Sequence, residues 1–368
     1  MKRILVLSNM YPSKKYPHYG VFVQNTIDIL NSGGYQTSVC SVAKHDNLML
    51  RLFAYGFAYL KCVFLGIFGK YDCLYAHFVS HTAIPARILK IIHPSLYLVE
   101  NAHGNDVIAQ TEEDTGKNIE RSRKILPLAN KVIVPSCYFK KVISMTYNYP
   151  ENQIFVSPSG GVNMDILYPL DQQIARKKCR LELGAYYIGY IGRITAGKGW
   201  NTFLSAIERV YQSNKIANLR ILIVGSGDQE KNLNREIEKL KLKDIVTHRE
   251  FVQQKDLIYY YNSLNVFVFP SESKSESLGL VGLEAMACGT FCIFSNNFGI
   301  TTYATDNVDC LMFNKTNVEQ LSEKIEDAYF MSQEKRKKII NNAIETASMY
   351  EQKNISKEFI QFFDEILN

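Results

Sequence analysis

The stretch SESLGLVGLEAMACG, Ser275 to Gly289, places Glu276 and Glu284 eight positions apart around a Leu-Gly-Leu step. The apolar run VFVFPS before it predicts a buried strand, and a helix pattern begins near Gly279–Leu280 and runs to Cys288. Glycine at a helix N-terminus leaves backbone N–H groups uncovered, and the helix dipole favours an anion there. Glu284 falls about one turn into the helix among apolar neighbours, where a carboxylate can accept both hydroxyls of a ribose. Glu276, ahead of the helix, can accept hydroxyls from whatever the phosphate carries. The plainer readings are a helix-surface acid and a solvated loop acid. The apolar surroundings of Glu284 fit the first of these badly.

Cations complement these acids. IGRITAGKG, residues 191–199, sends Arg193 and Lys198 out of a predicted strand within one glycine-punctuated loop, without the order of a P-loop. An Arg fork and a Lys point charge suit a diphosphate, although two solvated surface cations would look the same in sequence. VGSGDQEKNL, 224–233, likewise ends a strand at Gly225 before a helix. After the first strand, SNMYPSKKYPHYGVFVQNTI contains no G-x-G-x-x-G, which argues against NAD or FAD. Gly20 there is either an ordinary turn residue or a point of close approach for a ligand. His103 follows a predicted strand directly and precedes a glycine, which favours a site over a core role. Asp106 could orient it or cap a helix beginning near Val107, and capping is the simpler reading. His77, also at a strand end, reads as structural or as a substrate contact rather than catalytic. No pair of acids of the metal-holding kind stands at a strand end, so neither a tightly held metal nor a cofactor is expected.

Strand ends matter because of the elements around them. Twelve apolar runs alternate with helical periodicity: 3–12, 36–43, 73–79, 96–104, 131–136 and 154–160, then 186–194, 219–227, 245–252, 266–271, 289–295 and 309–313. Short continuous apolar strands between helices indicate buried parallel sheets. At 368 residues the chain exceeds one compact core. The turn-rich SPSGGVNMDILYPLDQQ separates two α/β halves, each doubly wound and Rossmann-like, expected to face each other across a cleft. The expected limits are 1–165 for the first domain and 166–345 for the second. Residues 346–368 form a terminal helix expected to pack back on the first half.

The order of these motifs resembles that of the retaining family-4 glycosyltransferases, which have the two-domain GT-B architecture. PSESKSESLGLVGLEAMACG is similar to their E-x7-E signature, GRITAGKG to their diphosphate loop, and HGND, 103–106, to their His-Gly-x-Asp. The resemblance implies that Glu284 holds the donor ribose, and Arg193 and Lys198 the diphosphate. Glu276 would contact the donor sugar, and the Leu278–Gly279–Leu280 backbone would lie over sugar and phosphate. His103 would sit near the anomeric centre. It further implies a nucleotide-diphosphate-sugar donor (UDP or GDP) held by a nucleotide-sugar-binding domain at 166–345 and a glycan acceptor held by an acceptor-binding domain at 1–165. Two departures are Glu276-Ser277-Leu278-Gly279 for the usual Glu-Gly-Phe-Gly, and PSGGVN for the interdomain PNGVD. The competing classes are a nucleotide-sugar 2-epimerase, which lacks E-x7-E, and a non-catalytic nucleotide-sugar-binding protein, against which the intact set of polar residues argues.

Composition adds the setting. Residues 1–170 carry 17 Lys+Arg against 11 Asp+Glu, so the whole formal charge of +6 lies there. RLFAYGFAYLKCVFLGIFGK, 51–70, combines six aromatics with basic ends. It reads as an interfacial helix drawn to anionic lipid, rather than a span with Lys61 at its centre. The expected partners are therefore a lipid-linked acceptor and a membrane surface, not nucleic acid. Eight scattered cysteines without a C-x-x-C pair read as buried free thiols, and MKRILVLSNMYP lacks a cleavage site. The expected location is cytoplasmic, peripheral on the inner face of the cell membrane.

Overall fold

The computed structural model describes residues 1–16, 19–109 and 114–367. It divides into two units, unit 1 comprising Met1–Gly160 with Lys353–Asn368, and unit 2 comprising Gly161–Gln352.

Unit 1 runs β1 (Arg3–Tyr11), α1 (Val21–Ser32), β2 (Gln36–Ala43), α2 (Leu48–Phe68), β3 (Cys73–His77), α3 (Val79–Ile92), β4 (Tyr97–Asn101), α4 (Asp114–Ile125), β5 (Lys131–Val134), α5 (Cys137–Tyr147) and β6 (Ile154–Val156). Its parallel sheet has the order β2-β1-β3-β4-β5-β6. Side chains of a strand alternate between faces. Leu5, Leu7, Leu74 and Ala76 accordingly enter one core, while Ile4, Val6, Cys73 and Tyr75 enter another on the opposite face. Both faces are therefore apolar, which is why these strands read as unbroken hydrophobic runs.

Unit 2 continues with α6 (Gln172–Cys179), β7 (Tyr186–Ile191), α7 (Trp200–Ser213), β8 (Leu219–Val224), α8 (Glu230–Lys239), β9 (Val246–Arg249), α9 (Leu257–Ser263), β10 (Val266–Phe269), α10 (Leu280–Ala287), β11 (Cys292–Asn296), β12 (Leu311–Asn314), α11 (Val318–Phe330) and α12 (Gln333–Ser348). Its order, β12-β11-β10-β7-β8-β9, reverses direction between β7 and β10. In such sheets ligands bind beyond the strand carboxyl ends at the reversal. That rule singles out the loops after β7 and β10.

The last helix, α13 (Gln352–Leu367), returns to unit 1. Its buried residues Ile355, Phe359, Phe362 and Phe363 recur at helical spacing. Phe363 meets Tyr75 at 5.4 Å, and Phe362 stacks on Phe155 at 4.4 Å. The unit limits correct the expected boundaries at 165/166 and 345/346. Val162 donates to the Tyr350 carbonyl and accepts from the Gln352 amide, each at 2.8 Å. This bridge ties both connecting segments to unit 2, so the breaks fall at Gly160/Gly161 and Gln352/Lys353. Seven of the eight cysteines are buried free thiols, and Cys137 is exposed.

Candidate functional site

At the reversal point of unit 2, the β7 and β8 loops approach closely. A Cβ on Gly225, whose φ is 133°, would lie 1.9 Å from the Gly192 carbonyl oxygen. Only glycine allows that contact. Gly279, at φ 79°, begins α10, and no side chain among the described residues caps it. A Cβ there would stand 2.5 Å from the Phe269 ring.

These loops enclose a cavity of about 400 Å³ lined by Arg193, Lys198, Gly225, Glu276, Gly279 and Leu280, among others. Six of the residues singled out from sequence therefore meet in one place. Arg193 is exposed, and its guanidinium makes no hydrogen bond or ion pair among the described residues. Lys198 and Glu276 behave differently from the sequence expectation of separate ligand contacts. Lys198 Nζ donates to Glu276 Oε2 at 2.7 Å, and Ser271 Oγ donates to the same oxygen at 2.6 Å. The pair is largely shielded, with side-chain exposures of 19% and 9%. An ammonium has three donors and a carboxylate two oxygens. Donors on Lys198 and the second oxygen of Glu276 thus remain for a ligand. The cavity offers an exposed guanidinium, an ammonium with spare donors and an open helix start on one side of a carboxylate. That arrangement suits a phosphorylated, hydroxylated molecule.

Glu284 and Leu278 do not line this cavity. Leu278 is a core residue, 1% exposed. Glu284 is buried, and its Oε2 accepts from Tyr261 Oη at 2.8 Å. Burial pushes its pKa up to about 7, and the Tyr261 hydrogen bond pulls the other way. Tyr261 and Ser271 escaped the sequence reading. Tyr261 sits in the helical run LIYYYNS and Ser271 in PSES, and neither run shows which hydroxyl faces a carboxylate.

Unit 1 has its own cluster at the reversal between β1 and β3. Gly20, at φ 79°, begins α1, and a Cβ would lie 2.7 Å from the Met10 carbonyl carbon. Its glycine is thus accounted for by backbone packing. His103 is half-buried, with Nε2 3.0 Å from Nδ1 of fully buried His77 and the two rings stacked. Phe22 and Phe78 close on His103 at 4.9 and 4.4 Å. Phe78 holds a left-handed φ of 66°, unusual for an aromatic residue and a mark of a constrained turn. Burial lowers the His103 pKa to about 3, so its imidazole is neutral near pH 7. Asp106 does not cap a helix at Val107, because residues 104–108 form turns. Its carboxylate instead accepts from Val79 N at 2.9 Å, capping α3, and from the His103 and Gly104 amides. Glu100 in β4 was not anticipated. It is fully buried with both oxygens unpartnered among the described residues. Burial first, and then the charge of Asp106, raise its pKa well above the carboxylate range, so it stays protonated.

Comparison with known proteins follows this geometry. Residues 171–346 match the model of the family described as glycosyl transferases group 1. Over 269 residues the chain is 26% identical to the D-inositol 3-phosphate glycosyltransferase of Paenarthrobacter aurescens, covering 71% of this chain and 65% of that one. The chain thus spans less than two thirds of the length of the first curated relatives it matches. An uncharacterized glycosyltransferase of Methanocaldococcus jannaschii is 26% identical over 81% of this chain and 77% of its own. Among solved structures, a sucrose-phosphate synthase from Thermosynechococcus elongatus aligns with a TM-score of 0.80 at 19% identity, covering 100% and 99% of the two chains. Anabaena HepE in complex with UDP aligns at 0.77 and 16%, covering 99% and 100%. At these identities the likeness is one of fold, the two parallel α/β units of GT-B.

The Lys198–Glu276 contact predicts strong coupling. Lys198→Met leaves a buried carboxylate with only Ser271 and should cost about 1–3 kcal/mol of stability. Adding Glu276→Gln should recover most of it. Chemical denaturation of the double-mutant cycle measures the coupling, and purely additive effects would contradict the pairing.

Proposed function

We propose that the chain is a glycosyltransferase that moves a sugar from a nucleotide-diphosphate sugar to a glycan acceptor, with retention of configuration and without a required metal. The observation that carries this reading is the convergence of Arg193, Lys198, Glu276 and the Gly279 helix start on one cavity. The match of residues 171–346 to the glycosyl transferases group 1 model supports it. Arg193, the spare donors of Lys198 and the α10 N-terminus bind the diphosphate and stabilise the charge that develops as it leaves. Glu276 orients sugar hydroxyls, and Glu284 receives the ribose. His103, neutral at working pH, hydrogen-bonds to the transferred sugar. In the step itself, the bond from C1 to the phosphate oxygen breaks and the acceptor oxygen bonds to C1 on the same face. The acceptor proton passes to the departing phosphate.

We place the acceptor among lipid-linked glycans, as in assembly of bacterial surface polysaccharide or glycolipid. A second reading is a soluble phosphorylated polyol, favoured by the names of the inositol-phosphate relatives.

Incubation with a matched donor and acceptor tests the reaction. NMR of the anomeric proton should show retention, and turnover should survive EDTA. An inverted product, or activity abolished by the chelator, contradicts the reading. Release of an epimerised nucleotide sugar would favour the epimerase class.

The ribose role carries a pH signature. With a pKa near 7, Glu284 is mostly protonated at pH 6 and mostly ionised at pH 8. Only the ionised form accepts both hydroxyls, so affinity for a nucleotide sugar should rise roughly tenfold between those values. The diphosphate of a nucleotide sugar is diesterified and has no proton to titrate there. Glu284→Gln should flatten the profile, and Glu284→Ala should weaken binding by about 1–3 kcal/mol. Calorimetry across pH decides it, since a flat wild-type profile would remove Glu284 from the ribose.

A further inference from the structure

The helix α2 covers β2 and β1 with little of its surface. Its buried residues are Ala58, Cys62 and Gly66, a stripe of small side chains four residues apart. Gly66 lets α3 come close, because a Cβ there would lie 2.6 Å from the Leu89 side chain. Val63, Leu65 and Ile67 pack partly against the unit 1 core and Tyr55 and Tyr59 are half-buried, while five of the largest apolar side chains turn outward. Phe53, Phe57, Leu60, Phe64 and Phe68 are each between 60% and 74% exposed. On α3, alongside, Ile84, Ile88, Ile91 and Ile92 are between 39% and 68% exposed.

This is more than the scattered apolar residues normal on a surface. The five α2 side chains alone offer on the order of 600 Å² of apolar area, the upper end for a soluble monomer. The helix has a mean hydropathy of 1.6, yet only 11% of its most apolar window is buried. It is also a crossover element between β2 and β3 with a covered stripe, so it lies on the unit and does not leave it.

Charge selects the occupant. Residues 48–68 and 79–92 contain Arg51, Lys61, Arg87 and Lys90 and no Asp or Glu. Arg51 and Arg87 are exposed and make no ion pair among the described residues. Lys61 donates to the Val39 carbonyl, and Lys90 to the Pro94 and Leu96 carbonyls. A protein face that was both apolar and purely basic would need an acidic, apolar counterpart. An anionic bilayer supplies both properties at once, with acyl chains for the aromatics and phosphates for the cations.

We infer that α2 and α3 together form a two-helix platform that docks unit 1 onto an anionic membrane surface. Phe53, Phe57, Leu60 and Phe64 enter the headgroup–acyl boundary, and the isoleucines of α3 widen the footprint. The α3 isoleucines distinguish this platform from a single interfacial helix, since a lone α2 would bind without them. The platform agrees with a lipid-linked acceptor but does not depend on sugar transfer, so the two can fail separately.

The test is co-sedimentation of the full chain with phosphatidylcholine vesicles, with and without phosphatidylglycerol. Binding should require the anionic lipid and weaken several-fold as salt is raised through the range that screens surface charge. Phe57→Ser with Phe64→Ser should lower partitioning about tenfold or more, from the apolar area removed. Ile88→Ser with Ile91→Ser should lower it independently, and Arg51→Glu with Arg87→Glu should lower it without touching the apolar area. All six positions are exposed, so circular dichroism and the denaturation midpoint should stay unchanged. Equal recovery in the supernatant with and without phosphatidylglycerol overturns the inference. So does a concentration-dependent dimer abolished by the same substitutions, which would assign the face to a second copy. Loss of binding from the α2 variant alone would reduce the platform to one helix and overturn the role of α3.

Discussion

Two carboxylates are held out of water around a single strand-to-helix turn, and unit 2 is arranged to tolerate them. An ionised group without a partner in a protein interior costs several kcal/mol. Glu276 meets this with Lys198 and Ser271, drawn from the loops after β7 and β10. Glu284 has a tyrosine hydroxyl and meets the rest of the cost by moving its pKa to near neutrality. Lys198 and Glu276 are 78 residues apart, and only the adjacency of β7 and β10 brings them together. The strand order is thus a requirement of the site as much as a feature of the fold.

The arrangement leaves deliberate gaps in hydrogen bonding. A fully satisfied cluster would be more stable and would have nothing to offer a ligand. Here the spare donors of Lys198, the start of α10 and the exposed Arg193 guanidinium, the last two without a side-chain partner among the described residues, all border one cavity. Unit 1 uses burial differently. His103, His77 and Glu100 are held neutral by desolvation, which makes them hydrogen-bonding groups and not proton carriers near pH 7. The proposed base is accordingly the leaving phosphate, a group the substrate brings with it.

Much of this was legible in sequence for a simple reason. Strands buried on both faces must be apolar throughout, so central strands such as β1, β3, β7 and β10 stood out as uninterrupted runs, while the half-buried edge strands β2 and β9 carry polar residues and were marked mainly by their place between helices. Gly279 and the spacing of Glu276 from Glu284 marked α10 within a residue or so, because left-handed backbone at a helix start admits little else. Less legible were features that exist only after folding. The order β2-β1-β3 in unit 1 leaves no local trace, and neither do Tyr261 and Ser271 as carboxylate partners. Asp106 looked like a cap for the segment following it and instead caps a helix 27 residues earlier. The Val162 bridge moved both unit boundaries by pairing segments distant in sequence. For α2, sequence showed an apolar circumference. Folding revealed that three small residues, flanked by partly buried Val63, Leu65 and Ile67, face the core, while Phe53, Phe57, Leu60, Phe64 and Phe68 face outward.

The central claim, that unit 2 binds a nucleoside diphosphate through Arg193, Lys198 and the start of α10, is tested most directly by thermal denaturation with a panel of UDP-, GDP-, ADP- and CMP-sugars. A ligand that binds only the folded chain must raise its midpoint, by about 2.7 kcal/mol of stabilisation at a hundredfold excess over Kd. The account predicts a rise with at least one diphosphate sugar, none with the monophosphate-linked CMP-sugar, and a smaller rise in Arg193→Ala. No shift with any diphosphate sugar, or an equal shift with the CMP-sugar, would contradict it.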